Sequence, residues 1–312
     1  MQKKTTYFSK DPITCPACEA EFYREDLLSG SGRLIAGELT DELRRVYEPS
    51  KKFGEIFPLV YTVTVCPQCL FAALPADFAS ADATVTGGVT AAEEERKKSV
   101  ALVVPGLDCR QPRELREGVA SYYLAVSCYD HFGKLASPTI KQGQCALRAA
   151  WLLGEMHRKE SNANWDYLAL LFYRKARFFF AAAVDREQSG KETLGGLANY
   201  GPDLDHNYGY DGVLYLTGLL EYKFGPRKDP ARRLASLERA RRVIARVHGM
   251  GRASKSKPTA LLDRVHDLYE RISEELKALG EEARAPQASP AEEAAPETAA
   301  RASADRRGPA RA

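Results

Sequence analysis

Two cysteine pairs, Cys15-Pro16-Ala17-Cys18 and Cys66-Pro67-Gln68-Cys69, carry the clearest chemistry in this chain. A C-x-x-C pair aims two sulfurs at one ion. A second pair completes a tetrahedron with metal–sulfur distances of about 2.3 Å once the intervening chain folds back. The expected cofactor is therefore structural Zn2+, held by Cys15, Cys18, Cys66 and Cys69. Four thiolates leave no coordination position for water or substrate, which predicts a folding element and not a Lewis acid. The competing chemistry is thiol–disulfide exchange by one pair. It requires a thiol activated at a helix N-terminus, whereas Cys66 follows a strand pattern, and it leaves the second pair without a purpose.

No other residue set points to catalysis. The five histidines, at 131, 157, 206, 248 and 266, stand apart from the cysteine pairs, and the chain contains no G-x-S-x-G, G-x-x-x-x-G-K-[ST], H-E-x-x-H or dinucleotide fingerprint. The expectation is a protein that is not an enzyme, with no catalytic residue assigned. Residues 201–211 space Asp203, Asp205 and Asn207 like a calcium loop, but Tyr208 stands where that loop needs glycine and Leu214 where it needs glutamate. A plain loop with Asp211 as a helix N-cap fits better. Cys109, Cys128 and Cys145 are unpaired, and Cys128 falls in an apolar helical pattern as a core residue.

A basic run at 227–257 holds eleven Lys or Arg against Asp229 and Glu238. At helical periodicity Arg232, Arg239, Arg242 and Arg246 gather into one stripe beside an apolar face of Leu237, Ala240, Val243, Ile244 and Val247. Such a stripe docks an acidic protein or RNA, or is simply a solvated face. The ribbon itself suits nucleic acid poorly. Glu19, Glu21, Glu25 and Asp26 crowd the first pair, and Leu70, Phe71, Ala72 and Ala73 follow the second as an apolar edge to be packed on the helices.

The elements that position these residues fall into three segments: a four-cysteine, zinc-ribbon-like domain over 1–90, an α-helical domain over 91–280, and an Ala/Pro/Glu/Arg-rich tail over 281–312 expected to be disordered. In the first, 59–65 alternates as a half-buried strand leading into Cys66, 41–47 reads as a short helix capped by Thr40, and 29–32 is a flexible turn. In the second, amphipathic helices are expected at 113–132, 139–157, 165–186, 211–224, 230–248 and 259–279, with Pro112 near the first turn of the first. Gly154 and Gly218 interrupt helices, where glycine usually marks the approach of a neighbour. Ala176, Phe180 and Ala183 keep the spacing of the second helix of a tetratricopeptide repeat (TPR), although 64 positions between the two glycines do not match its period. The fold class is therefore mainly α: a small zinc-ribbon-like module followed by a degenerate TPR-like array, with a plain antiparallel helical bundle as the competing reading.

A net charge of +3, 44% hydrophobic residues and 28% charged residues exclude nothing beyond extreme classes. The most apolar stretch, 166–184, is broken by Arg174, Lys175 and Arg177, so no membrane span or membrane partner is expected. Seven cysteines without a signal-like N-terminus suggest a reducing, cytoplasmic setting. Helical arrays offer extended concave surfaces, which makes a protein or peptide the expected partner. RNA or an acidic ligand on the basic helix is the alternative, and the sequence sets no oligomeric state.

The segment Tyr61-Thr-Val-Thr-Val-Cys-Pro-Gln-Cys-Leu-Phe-Ala-Ala, the earlier Cys-Pro-Ala-Cys and the later Ser121-Tyr-Tyr-Leu-Ala-Val-Ser-Cys-Tyr129 together resemble the bacterial domain-of-unknown-function family 2225 over about residues 10–250. The resemblance implies a cysteine-rich N-terminal module followed by TPR-like helices, with Cys15, Cys18, Cys66 and Cys69 as metal ligands, and it carries no established activity. Zinc knuckles commonly place glycine after the second cysteine of each pair, whereas this chain has Glu19 and Leu70 there.

Overall fold

The computed structural model of the chain describes residues 4–28, 30–251 and 258–282. The expected tail falls almost wholly outside them, as do Ser29 of the 29–32 turn and Arg252, Lys255 and Lys257 of the basic run. Short antiparallel hairpins come first. Strand β1 (Thr6–Phe8) pairs with β4 (Glu25–Leu27), β2 (Ile13–Thr14) with β3 (Glu21–Phe22), β5 (Ile35–Leu39) with β6 (Arg45–Glu48), and β7 (Thr64–Val65) with β8 (Ala72–Ala73). The helices that follow are α1 (Pro75–Ala79), α2 (Ala83–Ala91), α3 (Glu93–Val103), α4 (Leu115–Cys128), α5 (Pro138–Lys159), α6 (Trp165–Gln188), α7 (Gly209–Phe224), α8 (Pro230–Gly251) and α9 (Thr259–Glu282). The fold is mainly α, with the cysteines at its N-terminal end.

From α4 onward each helix packs on the next, and α9 also touches α7. Every amphipathic segment expected after residue 112 is a helix, with ends shifted by a few residues. Leu115 begins α4 behind a capping box in which Glu114 and Glu117 exchange side-chain and backbone hydrogen bonds, so Pro112 lies outside the first turn. Asp211 sits inside the first turn of α7, behind Tyr208 at the cap position. Helix also begins earlier than the pattern change at 91, with α1 and α2.

Three local expectations fail for physical reasons. Residues 59–65 do not form one strand: Pro58–Tyr61 is a 3-10 turn and only Thr64–Val65 pairs. Their alternation is lost because Leu59, Val60, Val63, Thr64 and Val65 are all buried. Residues 41–47 are not a helix but the turn and second strand of the β5–β6 hairpin. Leu43 adopts φ 58°, which ends any helical turn there, and Thr40 and Arg44 close the hairpin with a 2.8 Å backbone hydrogen bond. The glycines differ from one another as well. A Cβ on Gly218 would lie 2.6 Å from Ile244 of α8, whereas around Gly154 the space is open, and the close approach in α5 is at Gly143 against Phe180 of α6. Ala176, Phe180 and Ala183 are all buried.

Helix α5 is buried on nearly every side, polar residues included. The long connection from α6 to α7 lies along it: Gln144 donates to the carbonyls of Asn199 and Gly201, and Arg148 to that of Pro202. One continuous apolar core runs from Cys15 and Phe71 through Tyr122 and Trp151 to Leu276.

Candidate metal centre

Both cysteine pairs sit in turns built the same way. A two-residue strand delivers each first cysteine: β2 leads into Cys15 and β7 into Cys66. The N–H of Cys15 bonds the Ala20 carbonyl at 2.9 Å and Glu19 N–H returns to the Cys15 carbonyl at 2.9 Å; Cys66 and Phe71, and Leu70 and Cys66, repeat the pattern at 2.9 and 3.0 Å. To make that turn, Glu19 and Leu70 take φ of 60° and 57°, in the left-handed region that favours glycine.

The two turns face each other. Cys15 Sγ lies 3.7 Å from Cys69 Sγ and Cys18 Sγ 3.6 Å from Cys66 Sγ, and all four sulfurs lie within 4.8 Å of one another. A tetrahedron with metal–sulfur bonds of about 2.3 Å has edges of about 3.8 Å. The donor set therefore fits a single soft cation. Cys15, Cys66 and Cys69 are buried and Cys18 half-buried. Packed this closely, the sulfurs do not all ionise by themselves. Proton sharing with Cys66 pushes the Cys15 thiol up to about 12, contacts with Cys15 and Cys66 push Cys69 up, and Cys66, on the receiving side of Cys15 and Cys69, is held down to about 2. A bound cation is the group that lets all four be thiolates together.

The helices clamp this centre from outside. The apolar edge after the second pair is buried as expected: Phe71, Ala72 and Ala73 are inaccessible, and Phe71 stacks on Phe78 of α1 at 4.7 Å. Ala72 donates its N–H to Cys128 Sγ of α4 at 3.4 Å, so Cys128 is a core residue that touches the second turn. Thr90 reaches the Ala17 carbonyl from α2. Arg96 of α3, only 2% exposed, donates to the carbonyls of Cys69 and Val89, both at 2.7 Å. Sequence reasoning missed Arg96 because it lies in the charged run 93–98. The available signal was its register, four residues before buried Val100, which puts it on the apolar stripe of α3.

The other sequence-marked residues are placed as follows. Arg232, Arg239, Arg242 and Arg246 are exposed along α8, opposite buried Leu237, Ala240, Ile244 and Val247. Arg233 does not belong to that surface: it is 3% exposed and makes a two-pronged pair with Glu275 of α9 at 2.7 and 2.9 Å. The calcium-like spacing is spent on the hairpin, since Asp203 accepts from Arg45 N–H at 2.6 Å and Asp205 from the Arg45 guanidinium at 2.8 Å. Among the described residues no helix is long and apolar enough to cross a membrane.

Comparisons with known proteins match most of the chain. The bacterial family described as "Uncharacterized protein conserved in bacteria (DUF2225)" matches residues 8–272. An uncharacterized protein of Borreliella burgdorferi is 41% identical over 277 residues, covering 89% of this chain and 99% of the relative. No solved structure matches.

Proposed function

This chain belongs to the uncharacterized bacterial family DUF2225, and from that premise we propose that it is a cytoplasmic, non-enzymatic interaction protein whose four-cysteine centre holds structural zinc. Zinc is the reading because four thiolates at tetrahedral spacing suit a closed site for that ion. Binding by such sites contributes on the order of 10–16 kcal/mol in apparent terms, so order in the N-terminal hairpins depends on the metal. Chelation is the check: if the N-terminal region stays resistant to protease after the metal is stripped, the structural role is wrong.

The observation that carries the interaction role is a groove of about 320 Å³ between α6, α7 and α8. It is floored by Ala181, Ala182 and Val243 and edged by Phe178, which is 63% exposed, and by Arg239 of the basic stripe. An exposed aromatic beside an apolar floor and an arginine has the composition of a protein-binding spot. The TPR-like stacking of helix on helix supplies the rigid frame. Crosslinking in native cells, followed by purification before and after nuclease treatment, tests this. A stoichiometric, nuclease-resistant protein partner lost in Phe178→Asp supports it. Nuclease-sensitive material lost on charge reversal of Arg239, Arg242 and Arg246 replaces it with RNA binding.

A further inference from the structure

The tip of the β5–β6 hairpin is held by the helical array as a peptide ligand would be. The Glu42 carboxylate, 7% exposed, accepts from Trp151 Nε1 of α5 at 2.5 Å, from the Tyr173 hydroxyl of α6 at 3.0 Å and from Lys223 Nζ of α7 at 2.7 Å. Lys223 also reaches the Asp41 carboxylate at 2.9 Å. The backbone is bonded as well: Tyr215 of α7 donates to the Asp41 carbonyl at 2.7 Å, and Arg264 of α9 to those of Thr40 and Leu39 at 3.1 and 2.5 Å. Leu43, fully buried, is the apolar anchor.

Within the socket Tyr173 stacks on Phe224 at 4.2 Å, and from the hairpin the Arg44 guanidinium lies over Trp151 while pairing with Glu155. Donors from four helices thus bond three successive carbonyls and two carboxylates, the pattern by which a peptide backbone and its acidic side chains are bound. The hairpin itself is built as a removable peg. Among the described residues it pairs with no third strand, Ile35 and Val46 are exposed on its sides, and its approach arm passes Gly30, Ser31 and Gly32, all at positive φ. Leu43 holds a left-handed φ of 58° to seat the tip, a conformation that costs a non-glycine residue energy. Outside the tip the hairpin is fastened by the Arg44 pair with Glu155 of α5 and by the Arg45 pairs with Asp203 and Asp205.

We propose that this socket, formed by Trp151, Tyr173, Tyr215, Lys223 and Arg264, is a binding site for an acidic, leucine-bearing turn of a partner protein, and that residues 39–43 occupy it in cis. The proposal rests on the interaction reading above and names a second site for it. A partner's turn enters when the hairpin leaves, so affinity for the partner scales with the fraction of chains whose socket is open.

The test uses the full chain and a fluorescein-labelled cyclic peptide with the sequence of residues 36–47. A tip variant carrying Asp41→Ser, Glu42→Ser and Leu43→Ser should bind the probe at least about 100-fold more tightly than the unaltered chain, corresponding to a socket closed about 99% of the time. Adding Lys223→Met should weaken that binding by about 10-fold or more. No binding by a tip variant that keeps its helical signal and melting transition overturns the proposal. Should the tip variant not fold, hydrogen exchange on the unaltered chain decides: millimolar probe should speed exchange across 35–48 and slow it across 215–223, and unchanged exchange in both overturns it. A partner captured by crosslinking that survives Lys223→Met in a chain that fails the probe assay leaves the interaction reading standing and removes this one.

Discussion

Replacing Glu19 with glycine is expected to tighten the metal centre, whereas the equivalent change at Leu70 is not. The two residues hold the same place in matching turns, with φ of 60° and 57°. A residue with a Cβ pays about 1–2 kcal/mol for that left-handed conformation. Glycine removes this cost and returns about 0.5–1 kcal/mol through the greater freedom of the unfolded chain. At Glu19, which is exposed, the net gain is about 1 kcal/mol, or roughly fivefold in the ratio of folded to unfolded turn. Leu70 is half-buried and packs against the core. Full burial of a leucine is worth about 1.5–3 kcal/mol, so losing half of it cancels the gain. The assay is chelator competition at fixed pH, read as the midpoint of metal release. Glu19→Gly should raise that midpoint, Leu70→Gly should leave it nearly unmoved, and Glu19→Ala, which removes the charge but keeps the Cβ, should match the unaltered chain. Easier metal release from Glu19→Gly, or equal shifts in both glycine variants, would refute the reasoning.

Gly218→Ala should destabilise the chain by about 1–3 kcal/mol in urea titration through overpacking, since the new Cβ meets Ile244 at 2.6 Å. Gly154→Ala, in open space, should instead stabilise by up to about 1 kcal/mol from helix propensity. Arg96→Met strips hydrogen bonds from the buried carbonyls of Cys69 and Val89; at about 1–3 kcal/mol per unpaired group, it should lower the urea midpoint and ease metal release together. Glu55 titrates below its ordinary value because, although burial raises it, hydrogen bonds and charge from Lys159 and Arg158 outweigh that effect. A lowered folded pKa gives stability that is present above the unfolded value of 4.5 and lost as pH falls through the folded one. The advantage of the unaltered chain over Glu55→Gln should therefore be flat at neutral pH and vanish on acidification, and it should stay under about 1 kcal/mol because the pair is partly exposed.

The helices were legible because residues such as Val119, Tyr122 and Val126 recur at helical spacing, whereas the cap signals at Pro112 and Asp211 missed the helix starts. The cysteine cluster was legible because a ligand pair is local: two residues between sulfurs fix both on one turn. What was not legible depends on contacts across long separations. The 39–48 segment has helix-compatible residues, but Glu42 bonds Trp151, Tyr173 and Lys223, far along the chain, and those partners fix it as a hairpin tip. Arg96 was hidden because a charged run ordinarily faces water, and here one member turns inward to the Cys69 carbonyl. Likewise the polar residues of α5 reveal burial only once the 189–208 connection lies over them.

The most direct test of the central claim is the metal content of the purified full-length chain, paired with X-ray absorption at the metal edge. The account predicts one zinc per chain with four sulfur neighbours at about 2.3 Å. A folded, metal-free chain whose four cysteines titrate as free thiols, or a metal bound mainly through nitrogen or oxygen, would contradict it.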